Sequence, residues 1–223
     1  MRFTMSLRWR TVKGEVAKNP VFHKKAGFFL LGRANILEKD WFYYAIFTTK
    51  KVVKQPKDLN GLKISTGVMG IPFIKGLGAA ALTIEKSEMY TAAQTGVIDG
   101  YINPVDQMIG TGLEKVTKYM IDHTFGGAAQ LTIINQKKWD SIPKNLQDLI
   151  KEIQLEMEPI WAKQGTDIMR RDKQKLLGLG MVPVTFSSND AKWFVNLFYD
   201  SLWKENIKRY PKEAAKTKEM MTK

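Results

Sequence analysis

The sequence predicts an α/β protein, and three observations favour that fold class. Short apolar segments alternate with helix-forming segments from residue 62 to residue 103, the order found in parallel α/β sheets. Apolar residues at spacings of three and four begin after Pro143 and predict a long amphipathic helix. An aromatic-rich helical pattern follows residue 187. Together these patterns predict helices packed on a sheet.

The first predicted strands are separated by a turn-rich segment. Residues 41–53 are dense in aromatic and β-branched types and predict a long strand or strand pair. Residues 55–61 are typical of a turn and indicate a domain boundary near Pro56. Residues 62–64 predict a short strand.

Cap signals bound the next elements. Pro72 lies in the first turn of a predicted helix, and residues 80–84 predict a strand. Ser87 is predicted to cap a helix over residues 88–95, which Gly96 ends. This alternation predicts a parallel α/β lobe.

The second half of the chain is mostly helical. Residues 130–134 predict a strand, and the long helix runs from Pro143 to Leu177 with a kink at Pro159. A strand over residues 181–186 and a capping cluster over 187–190 precede the last predicted helix, and the polar tail over 212–223 is expected to fray. The last helix is expected to bury an aromatic stripe made of Trp193, Phe194, Leu197, Phe198 and Trp203.

The composition excludes several classes of protein. The longest apolar runs, residues 28–31 and 41–47, are far shorter than the roughly 20 residues that cross a bilayer, so no membrane insertion is predicted. The net charge is +13, but basic and acidic residues are interleaved and no nucleic-acid-binding motif accompanies them, so no nucleic-acid partner is predicted. Cysteine is absent, which excludes disulfides and thiolate nucleophiles.

The residues that carry chemistry in enzymes form no catalytic pattern in this sequence. His23 and His123 lie far apart without metal-ligand spacing, and a packing role at the surface or at a hinge is expected for His123 beside Asp122. Gly76 and Gly78 lack the third glycine of a dinucleotide fingerprint, and no phosphate-binding loop is present. We therefore predict a protein that is not an enzyme and has no cofactor.

The segment from Glu88 to Gly100, followed by Asn103 and Pro104, resembles the signature of the solute-binding proteins of tripartite ATP-independent periplasmic (TRAP) transporters. This is the DctP-type, dicarboxylate-binding family. Three further stretches resemble the same family in the same order: residues 56–64, 112–119 and 135–143.

The resemblance implies a periplasmic-binding-protein-like fold with two α/β lobes, hinge strands and a long kinked helix spanning the lobes. Residues 1–55 and 129–223 would form an incomplete lobe one with the hinge strands and the long helix, and residues 56–128 would form lobe two. It also implies a periplasmic protein that captures a small organic acid, a carboxylate, in the cleft between the lobes and delivers it to the membrane permease subunits of a TRAP transporter.

The resemblance and the residue types predict six ligand-binding residues. Asn103 offers an amide that donates and accepts hydrogen bonds, although an Asn-Pro pair also braces turns. Members of the family place an arginine where this chain has Ser65, and a basic residue of some members would fall near Ala45. The six predicted residues are Asn103, Ser65, Thr66, Tyr44, Tyr43 and Tyr90.

Without the arginine, several ways of holding an acid stay open. The ligand could contact the hydroxyls of Ser65 and Thr66, the aromatic wall of Tyr43 and Tyr44, backbone amides of residues 70–73, Lys63 or Lys75, or a bridging cation. The rival interpretation is a degenerate or truncated binding-fold module that acts in sensing or protein interaction without tight carboxylate binding.

The first residues also differ from the family. Residues 1–10 are basic but lead into Lys13 and Glu15 instead of an apolar segment, so no signal peptide is predicted in this chain. Residues 1–40 resemble only the end of lobe one. The chain is then either a fragment of a longer protein or a truncated relative, and the second alternative predicts an exposed apolar sheet face.

Overall fold

The computed structural model describes residues 27–34, 44–126 and 130–222. The chain divides into two compact units. The first unit contains Met1–Trp41 and Ala128–Asp167, and the second contains Phe42–Gly127 and Ile168–Lys223.

Strands and helices alternate along the described residues, as predicted for an α/β protein. Short 3-10 helices lie at Pro56–Leu59, Val68–Gly70 and Val105–Gln107. The strands are β1 (Phe28–Ala34), β2 (Tyr44–Thr48), β3 (Lys63–Ser65), β4 (Ala80–Leu82), β5 (Gly100–Pro104), β6 (Tyr119–Ile121), β7 (Gln130–Asn135) and β8 (Val182–Val184). The α-helices are α1 (Ile71–Gly76), α2 (Met89–Thr95), α3 (Leu113–Val116), α4 (Gln136–Asp140), α5 (Lys144–Gly178), α6 (Ser188–Arg209) and α7 (Pro211–Thr222).

The first unit contains a two-stranded antiparallel sheet, β1 with β7. On one side, Phe29 stacks on Trp139 of α4 with ring centroids 4.2 Å apart. Along β7, Leu131 and Ile133 alternate with their neighbours and are 47% and 53% exposed. These two side chains are therefore exposed on one side of the sheet, and the apolar sheet face expected of a truncated relative stays a prediction.

The second unit is built on a six-stranded sheet in the order β4-β3-β5-β2-β6-β8. Strand β3 runs parallel to β4 and β5, and β6 runs parallel to β8. Strand β2 is antiparallel to its neighbours β5 and β6. The strands predicted to be parallel, β3, β4 and β5, are parallel, and the complete sheet is mixed because β2 has the opposite direction.

One side of this sheet, called the core face, carries Ile46, Ile64 and Ile102 of strands β2, β3 and β5. An aromatic cluster covers it, with Phe73 of α1 and Phe194 of α6 at a centroid distance of 5.2 Å. Burying an apolar side chain of this size contributes about 1.5–3 kcal/mol. The cluster is completed by Phe125, Phe186 and Phe198.

Two predicted cap signals are confirmed and one is wrong. Gly96 ends α2 in the left-handed conformation at φ 79°, which favours glycine. Ser187 caps α6, because its Oγ accepts a hydrogen bond from the backbone N–H of Asp190 at 3.2 Å. Ser87 does not cap α2, since the residue before the helix is Glu88, which is itself in helical conformation and makes no side-chain cap hydrogen bond.

Other predicted elements change in length or burial. The strand predicted over residues 41–53 ends at Thr48, whose hydroxyl donates to the carbonyl of Lys51 at 2.7 Å and so starts a turn. Trp193 is 49% exposed, although Phe194 and Phe198 of the same predicted stripe are buried. The tail expected to fray is the helix α7.

The long helix α5 contains Pro159 and is continuous from Lys144 to Gly178. The division between the two units falls inside it, after Asp167. This division differs from the predicted lobe boundaries at residues 42–55 and 168–223, because β2 and β8 pair with strands of the second unit. The lobe boundaries stay a prediction. Within the described part of the chain, no helix combines the length and the apolar composition that a membrane span requires.

Candidate functional site

The side of the six-stranded sheet opposite the core face carries polar residues. Ser65 ends β3 in register with Tyr101 of β5, and Asn103 lies two residues farther along β5. Residues in register, and residues two apart in a strand, point to the same side of a sheet. Ser65, Tyr101 and Asn103 therefore share one side, called the polar face.

Tyr101 is fixed in the middle of the polar face. Its hydroxyl is hydrogen-bonded to the hydroxyl of Thr117 and donates to Sδ of Met108 at 3.7 Å. Burial raises the pKa of Tyr101; the hydrogen bond from Thr117 opposes this effect, and the Glu114 carboxylate adds to it. Tyr101 is therefore a neutral, positioned hydroxyl. Sequence reasoning missed it, although its spacing of two residues from Asn103 in a predicted strand was the available signal.

Asn103 is half-buried, and part of its hydrogen-bonding capacity is used by the loop that follows β5. Its Nδ2 donates to the carbonyl of Gln107 at 3.3 Å and to Sδ of Met108 at 3.5 Å. The side-chain nitrogen thus braces the turn that follows β5. Among the described residues no hydrogen bond to Oδ1 is recorded, so this oxygen can accept a hydrogen bond from a ligand hydroxyl or amide.

Ser65 is buried and makes no hydrogen bond with its side chain. The residue is 1% exposed, and its Oγ has no hydrogen-bond partner among the described residues. A buried hydroxyl left without a partner costs about 1–3 kcal/mol. Ser65 is therefore a polar group with unused hydrogen-bonding capacity at the end of β3.

The side chain of Thr66 points to the opposite side of the sheet from that of Ser65. It follows Ser65 directly, and its Oγ1 lies against Gly70, where an added Cβ would collide with it and also meet Ile102 of the core face. The Thr66 hydroxyl donates to the carbonyl of Gly67 at 3.3 Å. The two adjacent predicted contacts thus lie on opposite sides of the sheet.

The predicted tyrosines are not gathered at the polar face. Tyr44 packs against the core cluster and pairs through its backbone with Phe125. Burial, and then the carboxylate of Asp106, raise the pKa of Tyr44. Tyr90 accepts a hydrogen bond from Nε2 of Gln94 at 3.3 Å and packs near Gly112. Tyr43 lies outside the described residues.

Neither lysine proposed from the sequence makes a described contact with Ser65, Tyr101 or Asn103, although Lys63 lies two residues before Ser65 in β3 and on the same side of the sheet. Lys63 begins β3, and its Nζ donates to the carbonyl of Gly96 at 2.9 Å while its backbone N–H donates to Asp99. It therefore holds the end of α2. Lys75 is exposed on α1. No cluster of three potential metal ligands occurs among the residues that the structure describes.

The structure thus brings together two of the six predicted residues, Ser65 and Asn103, and adds Tyr101. Neutral groups form this arrangement: an unpartnered hydroxyl, a fixed phenol and an amide oxygen. It can bind a small polar solute through hydrogen bonds. None of the described contacts of these three residues is to a lysine or an arginine.

A protein-family model supports this assignment to a binding protein. The model described as "Bacterial extracellular solute-binding protein, family 7" (DctP) matches residues 43–209. This range contains the polar face, the core face and all of α5.

Two curated relatives illustrate the extent of the similarity. A "Solute-binding protein" of Albidiferax ferrireducens is 27% identical over 186 residues, which cover 79% of this chain and 54% of that protein. The "C4-dicarboxylate-binding periplasmic protein DctP" of Rhodobacter capsulatus is 30% identical over 107 residues, which cover 47% of this chain and 32% of that protein. The chain therefore spans about half the length of these relatives, or less.

A solved structure has the same fold. It is a TRAP periplasmic solute-binding protein from Desulfovibrio salexigens with bound orotic acid. The TM-score is 0.78 at 18% identity, and the match covers 98% of this chain and 70% of that one.

Proposed function

Because the chain belongs to the DctP family of bacterial extracellular solute-binding proteins, we propose that it captures a small organic acid and delivers it to the membrane permease of a TRAP transporter. The family is one of solute-binding transport proteins and not of enzymes, in agreement with the sequence analysis. We place the protein in the periplasm, where such a protein meets its solute.

The observation that carries this proposal is the unpartnered hydroxyl of Ser65 beside Tyr101 and Asn103. A polar group that stays unsatisfied in the free protein gains a full hydrogen bond when a ligand reaches it. Oδ1 of Asn103 adds an acceptor on the same side of the sheet. An acid that also carries a hydroxyl or an amide fits these neutral groups best.

The relatives suggest the first ligands to test. One solved neighbour binds orotic acid, and one relative is named for C4-dicarboxylates. Each has a matched neutral analogue: uracil lacks the carboxylate of orotate, and succinamide lacks the charges of succinate.

Thermal unfolding of the 223-residue chain with each compound tests the proposal. A ligand at about 100 times its Kd adds about 2.7 kcal/mol, which raises Tm by about 5–10 °C in a protein of this size. We expect such a rise with at least one acid and a smaller rise with its neutral analogue. No rise with any mono-, di- or hydroxy acid contradicts the proposal.

A second candidate function is a binding-fold module for sensing or protein interaction that does not bind carboxylates tightly. Two observations favour it: Nδ2 of Asn103 is used by its own loop, and Glu114, a carboxylate, lies near Tyr101. Equal rises in Tm with the acids and their neutral analogues would support this candidate over the first.

A further inference from the structure

Two residues after β6, the side chain of His123 accepts a backbone hydrogen bond and so takes the place of a backbone carbonyl. In the parallel β6–β8 pair, the N–H of Asp122 donates to the carbonyl of Val184 at 2.8 Å. Farther along, the N–H of Phe186 donates to Nε2 of His123 at 2.6 Å. A carbonyl accepts at any pH, whereas Nε2 accepts only when it carries no proton.

This hydrogen bond lies where β8 leads into α6. Phe186 directly precedes Ser187, the N-cap residue of α6. The Phe186 ring lies 5.0 Å from the His123 ring and 5.4 Å from the ring of Phe194, measured between centroids. The bond from Phe186 to His123 therefore fixes the entry to a helix that covers the core face.

The charges around His123 are few and of known sign. Among the described residues, the charge that acts on its pKa is that of its neighbour Asp122. Asp122 is paired with Lys173 of α5, Nζ to Oδ1 at 2.6 Å. Phe186 and Phe194, which approach from the β8–α6 side, are uncharged. Hence no cation faces the imidazole directly in these contacts.

Burial lowers the pKa of His123 below its ordinary value of 6.5, and the Asp122 carboxylate opposes this effect. The folded protein therefore favours the neutral imidazole. The stability that this preference contributes is full above the unfolded pKa and is lost as the pH falls from that value through the folded pKa.

We propose that His123 is a pH-sensitive latch that holds the start of α6 against the end of β6 at neutral pH and releases it at acidic pH. Protonation of Nε2 turns the acceptor into a donor, so that two N–H groups face each other and the bond to Phe186 breaks. The latch does not depend on the proposed function, because none of its residues belongs to the polar face.

Hydrogen exchange of the Phe186 amide, measured by NMR at pH 7.5 and pH 5.5, tests the latch. The protection factor, which is corrected for the intrinsic pH dependence of exchange, should fall at least about fivefold at the lower pH as one hydrogen bond is lost. The amide of Ile64 in β3 serves as the internal reference and should keep its protection.

Two variants separate the effect of protonating residue 123 from the effect of changing the length of its side chain. His123→Gln places a neutral acceptor at about the position of Nε2 and should protect the Phe186 amide equally at both pH values. His123→Asn is also neutral, but its side chain is too short to reach the Phe186 N–H, so the Phe186 amide should have low protection at both pH values. A wild-type protection factor that is the same at both pH values overturns the latch, and this measurement needs no variant. A loss of protection at pH 5.5 in His123→Gln overturns it too.

Discussion

The two sides of the six-stranded sheet use the same strands for different purposes. The core face is covered by rings from α1 and α6, which bury Ile46 and Ile64 completely and Ile102 in part. The polar face carries a hydroxyl without a partner at Ser65 and an amide shared with a loop at Asn103. Both sides therefore bury apolar residues, since Ala45 and Phe47 lie fully buried beside Asn103 and Tyr101, but only the polar face combines them with a hydroxyl that has no partner among the described residues.

The largest expected effect is on the core face. Phe194→Ala removes a ring that is fully buried and packs against Phe73, Phe125 and Phe186. We expect the free energy of unfolding to fall by about 3–5 kcal/mol, measured by urea denaturation. Trp193→Ala is the matched control on the same helix, because this ring is half exposed, and should cost under about 1.5 kcal/mol. Equal losses in the two variants would contradict the assignment of the core face.

A smaller effect is expected at the one polar-face residue that is fully bonded. Tyr101→Phe removes the hydroxyl that binds Thr117 and Met108 but keeps the ring beside Phe47. The loss of this bond and the unpaired Thr117 hydroxyl should cost about 1–2 kcal/mol in the same denaturation experiment. A variant as stable as the wild type would show that Tyr101 acts only through its ring.

The smallest effect is expected at Ser65. Ser65→Ala removes a buried hydroxyl without a partner, so the free energy of unfolding should stay unchanged or rise by up to about 1 kcal/mol. Ser187→Ala is the matched control, because its Oγ caps α6, and should lose about 1 kcal/mol. A clear loss of stability in Ser65→Ala would mean that its hydroxyl is bonded in the free protein.

Local signals in the sequence predicted much of the fold. Pro72, Gly96 and Ser187 each act through the conformation or the cap of a few neighbouring residues, and the helices they mark are present. The predictions that were wrong concern features that depend on tertiary contacts. Trp193 matched the spacing of the buried stripe, but burial depends on which helix face meets the sheet. The direction of β2 depends on its pairing with β5 and β6, which local patterns do not encode.

The candidate site was predicted less completely than the fold. Ser65 and Asn103 lie on the same side of the sheet, but strand alternation already implied that Thr66 points away from Ser65. The engagement of Asn103 Nδ2 by Gln107 depends on the conformation of the loop after β5, which the residue types alone do not fix. The roles of all six predicted ligand-binding residues, including Tyr43 and Tyr90, stay predictions.

The most direct test is isothermal titration calorimetry with the acid that raises Tm most. We expect Ser65→Ala and Asn103→Ala each to raise Kd about fivefold or more, the loss of one hydrogen bond to the ligand. Asn206→Ala, which removes a similar amide-to-backbone bond on α6, should leave Kd unchanged. Wild-type affinity in both polar-face variants would contradict the claim that this side of the sheet binds the solute.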